Sequence, residues 1–161
     1  MSLRSILTVG CALVLGLTTS AAQAQLPNPY GAPISLEAAK KAAAGAIGEA
    51  RKNNWTMAVA ITDGGELVYL EKMDGTQTGS VKVAIDKARS AALYKRPSKV
   101  FQDILAGGGA GLRILGLEGA VPVEGGLPLA LDSKLVGAIG VSGGSSDQDG
   151  TAAKAGADVV K

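Results

Sequence analysis

Residues 135–150, LVGAIGVSGGSSDQDG, decide how this chain is read. An apolar run carrying Gly137 and Gly140 ends on the pair Gly143-Gly144, and residues suited to capping a helix follow at once. That order predicts a strand, a tight turn and a helix start at Ser145 or Ser146. Gly140-Val141-Ser142-Gly143-Gly144 also fits the G-x-S-x-G pattern of a nucleophile elbow. The chain contains no histidine, so the general base of a Ser-His-Asp hydrolase is missing and only a Ser-Lys pair remains formally open. An EF-hand reading fails by counting, because Gly150 at position six puts Gly156 where the bidentate glutamate belongs. Asp147 and Asp149 are therefore read as acids at the positive end of a helix.

Working outward, residues 127–131 and 135–141 form a hairpin around Asp132-Ser133-Lys134. A second hairpin joins residues 55–63 to 66–72 through Asp63-Gly64-Gly65. A short strand is expected over 120–123. Ser35 caps a helix running to about Asn53, with Leu36, Ala39, Ala43, Ile47 and Ala50 as its apolar stripe. Another helix spans about Gly79 to Tyr94, its core face being Val81, Ala84, Ile85, Ala88 and Ala92, with Lys82, Asp86 and Arg89 in solvent. Lys87 shares a stripe with Val83, Ser90 and Tyr94 and is expected to snorkel at its edge. Pro97 breaks the helix, and Ser98 caps a shorter one bearing Val100, Phe101, Ile104 and Leu105. Residues 107–111 (GGGAG) read as a loop, since they match neither Rossmann nor P-loop spacing. Gly150 and Gly156 lie inside the last helix at a cost of ~1 kcal/mol each relative to alanine, which predicts close packing against them.

The first 24 residues carry a signal-peptide pattern: Arg4, an apolar run over 6–17, and Ala22-Gln23-Ala24 before a cleavage point at Gln25. The apolar run is shorter than the ~20 residues of a spanning helix, and Cys11 lies in its middle. The expectation is a periplasmic or secreted protein with no membrane anchor after cleavage. Residues 25–34, with prolines at 27, 29 and 33, form an extended arm, either a loose tail or a strap, ahead of one domain over 35–161.

Cys11 is the one cysteine, so disulfides and the usual zinc sites are excluded. Arg4 is the only charged residue of the first 24, which takes the formal net charge of +2 for the whole chain to +1. Without a basic block, nucleic acid is not an expected partner. Aromatic residues are only 3% of the chain, so its core must rely on close backbone packing, and a homo-oligomer would bury more surface.

The words Asn53-Asn54-Trp55, Asp63-Gly64-Gly65, Met73-Asp74-Gly75, Lys87-Ala88-Arg89-Ser90-Ala91-Ala92-Leu93, Gly125-Gly126-Leu127-Pro128-Leu129, 137–144 and Gln148-Asp149 occur in fixed order from Ser35 onward. In this the chain resembles the GlcG/HbpS family, which includes the C-terminal domain of PduO-type proteins. The resemblance implies an α/β (α+β), profilin-like fold, with about five antiparallel strands flanked by helices, that assembles into oligomers. It also implies haem as cofactor, and for exported relatives a role in haem or iron handling. Relatives often carry a histidine where this chain has Glu66, and histidine is the usual proximal haem ligand, so a strong axial bond from that position is excluded here. The remaining side chains able to ligate iron are Met57, Met73, Tyr30, Tyr69 and Tyr94. In relatives a hydroxyl at the position of Ser98 lies near haem, and Lys95 and Arg96 are placed to pair with its propionates. Two alternatives stand beside haem binding: an enzyme or accessory protein acting on a small carboxylate or hydroxy acid, with Lys87 and Asp74 lining the pocket, and a purely structural oligomer.

Overall fold

The computed structural model describes residues 29–160. The signal-peptide pattern and the first four residues of the arm lie outside them. Helix α1 (Leu36–Lys52) begins where Ser35 Oγ accepts the Ala38 amide at 3.2 Å. Its buried face is almost wholly alanine, with Ile47 the only larger side chain, whereas Leu36, expected on that face, is half exposed. Strands β1 (Ala58–Asp63) and β2 (Glu66–Lys72) form the first hairpin, and β3 (Gly126–Leu131) with β4 (Lys134–Ser142) the second. They pair in the order β2-β1-β4-β3, antiparallel throughout.

The sheet has four strands where about five were expected. Residues 120–123 are the difference. Pro122 offers no amide, and the segment is tied by side chains instead of a ladder: the Val121 amide donates to Ser90 Oγ and the Val123 carbonyl accepts from Ser98 Oγ. The first hairpin also starts later than expected, since the Trp55 amide still donates to the Ala50 carbonyl at the end of α1.

Alternation along the strands gives each face of the sheet its own layer. Met57, Val59, Ile61, Ile139 and Val141 meet α1 and α4 (Ser146–Ala157), forming the larger core. Ala58, Ala60 and Ala138 face α2 (Gly79–Tyr94), which presents Ala84, Ala88, Ala91 and Ala92. With only methyl groups between them, α2 sits almost on the sheet backbone. At Gly140 a Cβ would lie 2.0 Å from the Ala84 carbonyl oxygen and 2.5 Å from the Ala88 nitrogen. On the other face α1 and α4 cross over Gly156, where a Cβ would meet the Ala42 carbonyl at 2.6 Å. The close packing predicted for Gly156 is thus present, and at Gly150 the Glu124 carboxylate fills that role.

Helix α3 (Ser98–Ala106) and a 3-10 helix (Gly109–Gly116) complete the chain between α2 and β3. That 3-10 helix takes in part of the glycine run expected to be a loop. Ser145 caps α4 through a reciprocal capping box with Gln148. The described part of the arm is a strap. The Leu135 amide donates to the Pro29 carbonyl, and the Gly31 and Ile34 amides donate to the Leu135 and Val136 carbonyls at 2.7 Å, where β1 has already turned away from β4.

Candidate functional site

The residues singled out from the sequence gather at the C-terminal half of α2 and the segment facing it. Lys87, Ser90 and Tyr94 stand at spacings of three and four, one above another on a helix face. Each meets the segment 118–126 in turn. Tyr94 donates to the Glu118 carbonyl at 2.6 Å, Ser90 accepts the Val121 amide at 3.0 Å, and Lys87 lies beneath Gly125, where a Cβ would sit 2.9 Å from Nζ. The stripe is therefore a polar seam, which gives the segment a course although it forms no strand.

Lys87 does not snorkel. Its side chain is 1% exposed, and Nζ donates to Asp149 Oδ2 at 2.7 Å and to the Val141 carbonyl at 3.0 Å. Burying an ammonium requires a partner charge with its lone pairs satisfied. Asp149 supplies it from the first turn of α4, its other oxygen accepting the Gly144 amide at 3.0 Å. Burial pushes the Asp149 carboxyl above the usual carboxylate range, while Lys87 and the amides of Gly144 and Gly143 pull it the other way. Asp149 was read from the sequence only as a helix-start acid, and the signal that could have found its role was Lys87 itself, a charge on a stripe with no room for it in solvent.

Ser98 is wholly buried. Its hydroxyl donates to the Val123 carbonyl at 2.7 Å and accepts the Gly126 amide at 2.9 Å, so it organises backbone. Lys95 takes the left-handed C-cap of α2, with Nζ 4.0 Å from the centre of the Tyr30 ring. Arg96 is exposed, its Nε donating to the Tyr94 carbonyl at 3.0 Å. Asp74 is not part of this group; it lies beside Arg51, Lys72 and Met73, just past β2 on the edge of the sheet opposite β3. Ser142 ends β4 at 6% exposure, paired with Ala58, and shows no exposed elbow.

Outside the seam the same elements form a surface hollow of about 750 Å³, with Lys82, Asp86, Arg89, Leu93 and Tyr94 on one wall and residues 118–121 on the other. Arg89 also reaches Glu66 at 3.8 Å. A hollow of about 390 Å³ between the arm and the β3–β4 turn is mainly apolar, lined by Ile34, Ala38, Leu131, Val136 and Val160 among others, with Ser35, Asp132 and Lys134 as its polar side chains. Among the described residues no cluster of three carboxylate, cysteine or histidine side chains could hold a metal ion. No described helix is long and apolar enough to cross a membrane.

Comparison with known proteins gives consistent matches. The family model described as haem degrading protein HbpS-like matches residues 34–158. Protein GlcG of Escherichia coli (strain K12) is 36% identical over 95 residues, covering 58% of this chain and 69% of that protein. The crystal structure of HbpS superposes with a TM-score of 0.74 at 30% identity, over 81% of this chain and 92% of that one. That of a PduOC–haem complex does so at 0.72 and 25% identity, over 80% and 96%.

Proposed function

Because the chain belongs to the family of HbpS-like haem-degrading proteins, we propose that it binds haem, or a similar planar anionic tetrapyrrole, without a histidine ligand. The observation that carries this reading is the hollow over the second half of α2. Leu93 offers it apolar surface, the cations Lys82 and Arg89 line it together with the carboxylates Asp86 and Glu118, and Lys95 and Arg96 follow in sequence at the helix end. Carboxylate groups of the ligand pair with these cations.

The iron donors fit less well. Tyr94 and Tyr30 give their hydroxyl protons to the carbonyls of Glu118 and Ala92, and Tyr69 gives its own to Glu71. Met57 is fully buried in the core, and Met73 lies just past β2, on the edge of the sheet opposite β3. The residues present thus suit the ligand's edge and its charges, and leave its iron without a protein ligand from this hollow. Bound there, haem would supply an exchangeable iron centre, while the chain's own groups hold the plate by its rim.

A haemin titration tests this. The wild-type protein should give a saturable Soret change, and Arg89→Ala/Arg96→Ala should weaken binding about tenfold, the sum of two exposed charge contacts of ~0.7 kcal/mol each. A titration that never saturates, or one that the double variant leaves unchanged, overturns the reading.

Export to the periplasm or medium and self-association belong to the same proposal. The signal-peptide pattern supports the first. The second is supported by Leu67 and Leu70, 46% and 37% exposed on β2, one of the two edge strands. Protein recovered from the cell envelope or medium should begin at Gln25 and show a mass above that of one chain by light scattering.

A further inference from the structure

Helix α2 opens on a row of donors without acceptors. Its first turn is wound tightly, the Ser80 amide donating to the Gln77 carbonyl at 3.2 Å and the Val81 amide to the Thr78 carbonyl at 3.4 Å. The amides of Gln77, Thr78 and Gly79 have no acceptor among the described residues, and the Thr78 side chain does not cap them. Open amides at a helix start carry partial positive charge. No acid stands in this first turn to answer it.

Two side chains make this more than a bare helix end. Thr76 and Ser80 are 5% and 0% exposed, and the hydroxyl of each is buried without a hydrogen-bond partner. A buried hydroxyl left unpaired costs its full desolvation, so both have something to gain from a bound group. Both also lie at the same end of α2. Thr76 closes the turn from Met73 just ahead of the helix, and the Cα–Cβ bond of Ser80, in the first turn, tilts toward the helix N-terminus. Five donors, three amides and two hydroxyls, thus stand open within residues 76–80. None of these residues lines the outer hollow, and Lys87 takes no part.

We propose that residues 76–80 form a site for a small tetrahedral oxyanion, sulfate or phosphate, held by neutral donors alone. Amides can only donate, so a cation has no place there, and an apolar molecule would leave every donor unpaired. A carboxylate presents about four lone-pair positions on two oxygens, one fewer than the donors on offer. The four oxygens of a tetrahedral ion meet all five, with the positive end of the helix behind them. Sulfate and phosphate share this chemistry and differ in one respect: phosphate keeps a proton that needs an acceptor, which a hydroxyl supplies by turning.

The test is amide NMR of the full chain from Gln25 onward, titrated with sulfate, phosphate or acetate at an ionic strength held constant with sodium chloride. The amide signals of Gln77, Thr78 and Gly79 should move saturably with sulfate, phosphate or both, the tighter of the two naming the ion. Acetate should bind more weakly than that ion. Thr76→Val/Ser80→Ala should weaken oxyanion binding at least about tenfold, as the loss of hydrogen bonds to a charged partner implies. In chloride alone the same variant should unfold at or above the wild-type temperature, because apolar groups replace unpaired buried hydroxyls; either single variant serves if the pair folds poorly. Shifts that never saturate, acetate binding as tight as the oxyanion, or binding that the double variant leaves unchanged overturns the proposal. None of these results bears on the Soret titration.

Discussion

Lys87→Ala is expected to cost ~3–5 kcal/mol of stability, the range for removing one partner of a buried ion pair. The loss would not be of a contact alone. Asp149 would remain at the root of α4, some 4% exposed, as a carboxylate with one oxygen still held by the Gly144 amide and the other facing the void left by the lysine. Urea unfolding followed by circular dichroism should show the midpoint falling with the slope unchanged. Replacing both partners, Lys87→Met/Asp149→Leu, should recover more than half of the loss, since no uncompensated charge is then left in the interior. A single variant that loses less than ~1 kcal/mol, the value of an exposed pair, would show that water reaches these groups and that the tie between α2 and α4 is not a dry one.

Gly140→Ala should be nearly as damaging, at about 3 kcal/mol, the upper end of ordinary overpacking. One methyl group suffices, because the atoms it would strike are the Ala84 carbonyl oxygen and the Ala88 nitrogen. These are helix backbone and cannot swing aside as a side chain can. Relief requires the whole of α2 to lift from the sheet, which would disturb the alanine layer from Ala84 to Ala92. Gly48→Ala is the matched control: the added Cβ finds nothing within 4 Å on an exposed part of α1, and the change should stabilise by up to ~1 kcal/mol through helix propensity. Thermal unfolding of the two variants should therefore move in opposite directions from the wild type.

Much of the fold was legible because its signals are local. The bounds of α2 and β2 follow from periodicity, and Ser35 and Ser145 mark helix starts by chemistry that needs only their neighbours. The stretch 120–123 was misread because β-branched composition speaks for a strand only where the backbone can pair, and here Pro122 has no amide while the Val121 amide and Val123 carbonyl are taken by Ser90 and Ser98. Lys87 was misread for a related reason. Its stripe with Ser90 and Tyr94 was visible, but a lysine's burial depends on a carboxylate 62 positions away, and no periodicity encodes that. Family resemblance placed attention on Lys95, Arg96 and Ser98; the structure puts Lys95 over the Tyr30 ring and Arg96 on the Tyr94 carbonyl, just past the end of α2, and gives Ser98 to the backbone of Val123 and Gly126.

The strap formed by the arm has a practical consequence. A chain trimmed to the start of the family match at Ile34 would lose Pro29 and Gly31, and with them both backbone bonds to Leu135. It would also lose the Tyr30 hydroxyl that caps the last carbonyls of α2. The uncovered stretch of β4 would then be an open template for strands of other molecules. Aggregation of such a truncated product would report a missing seam, and would say nothing against the integrity of the domain itself.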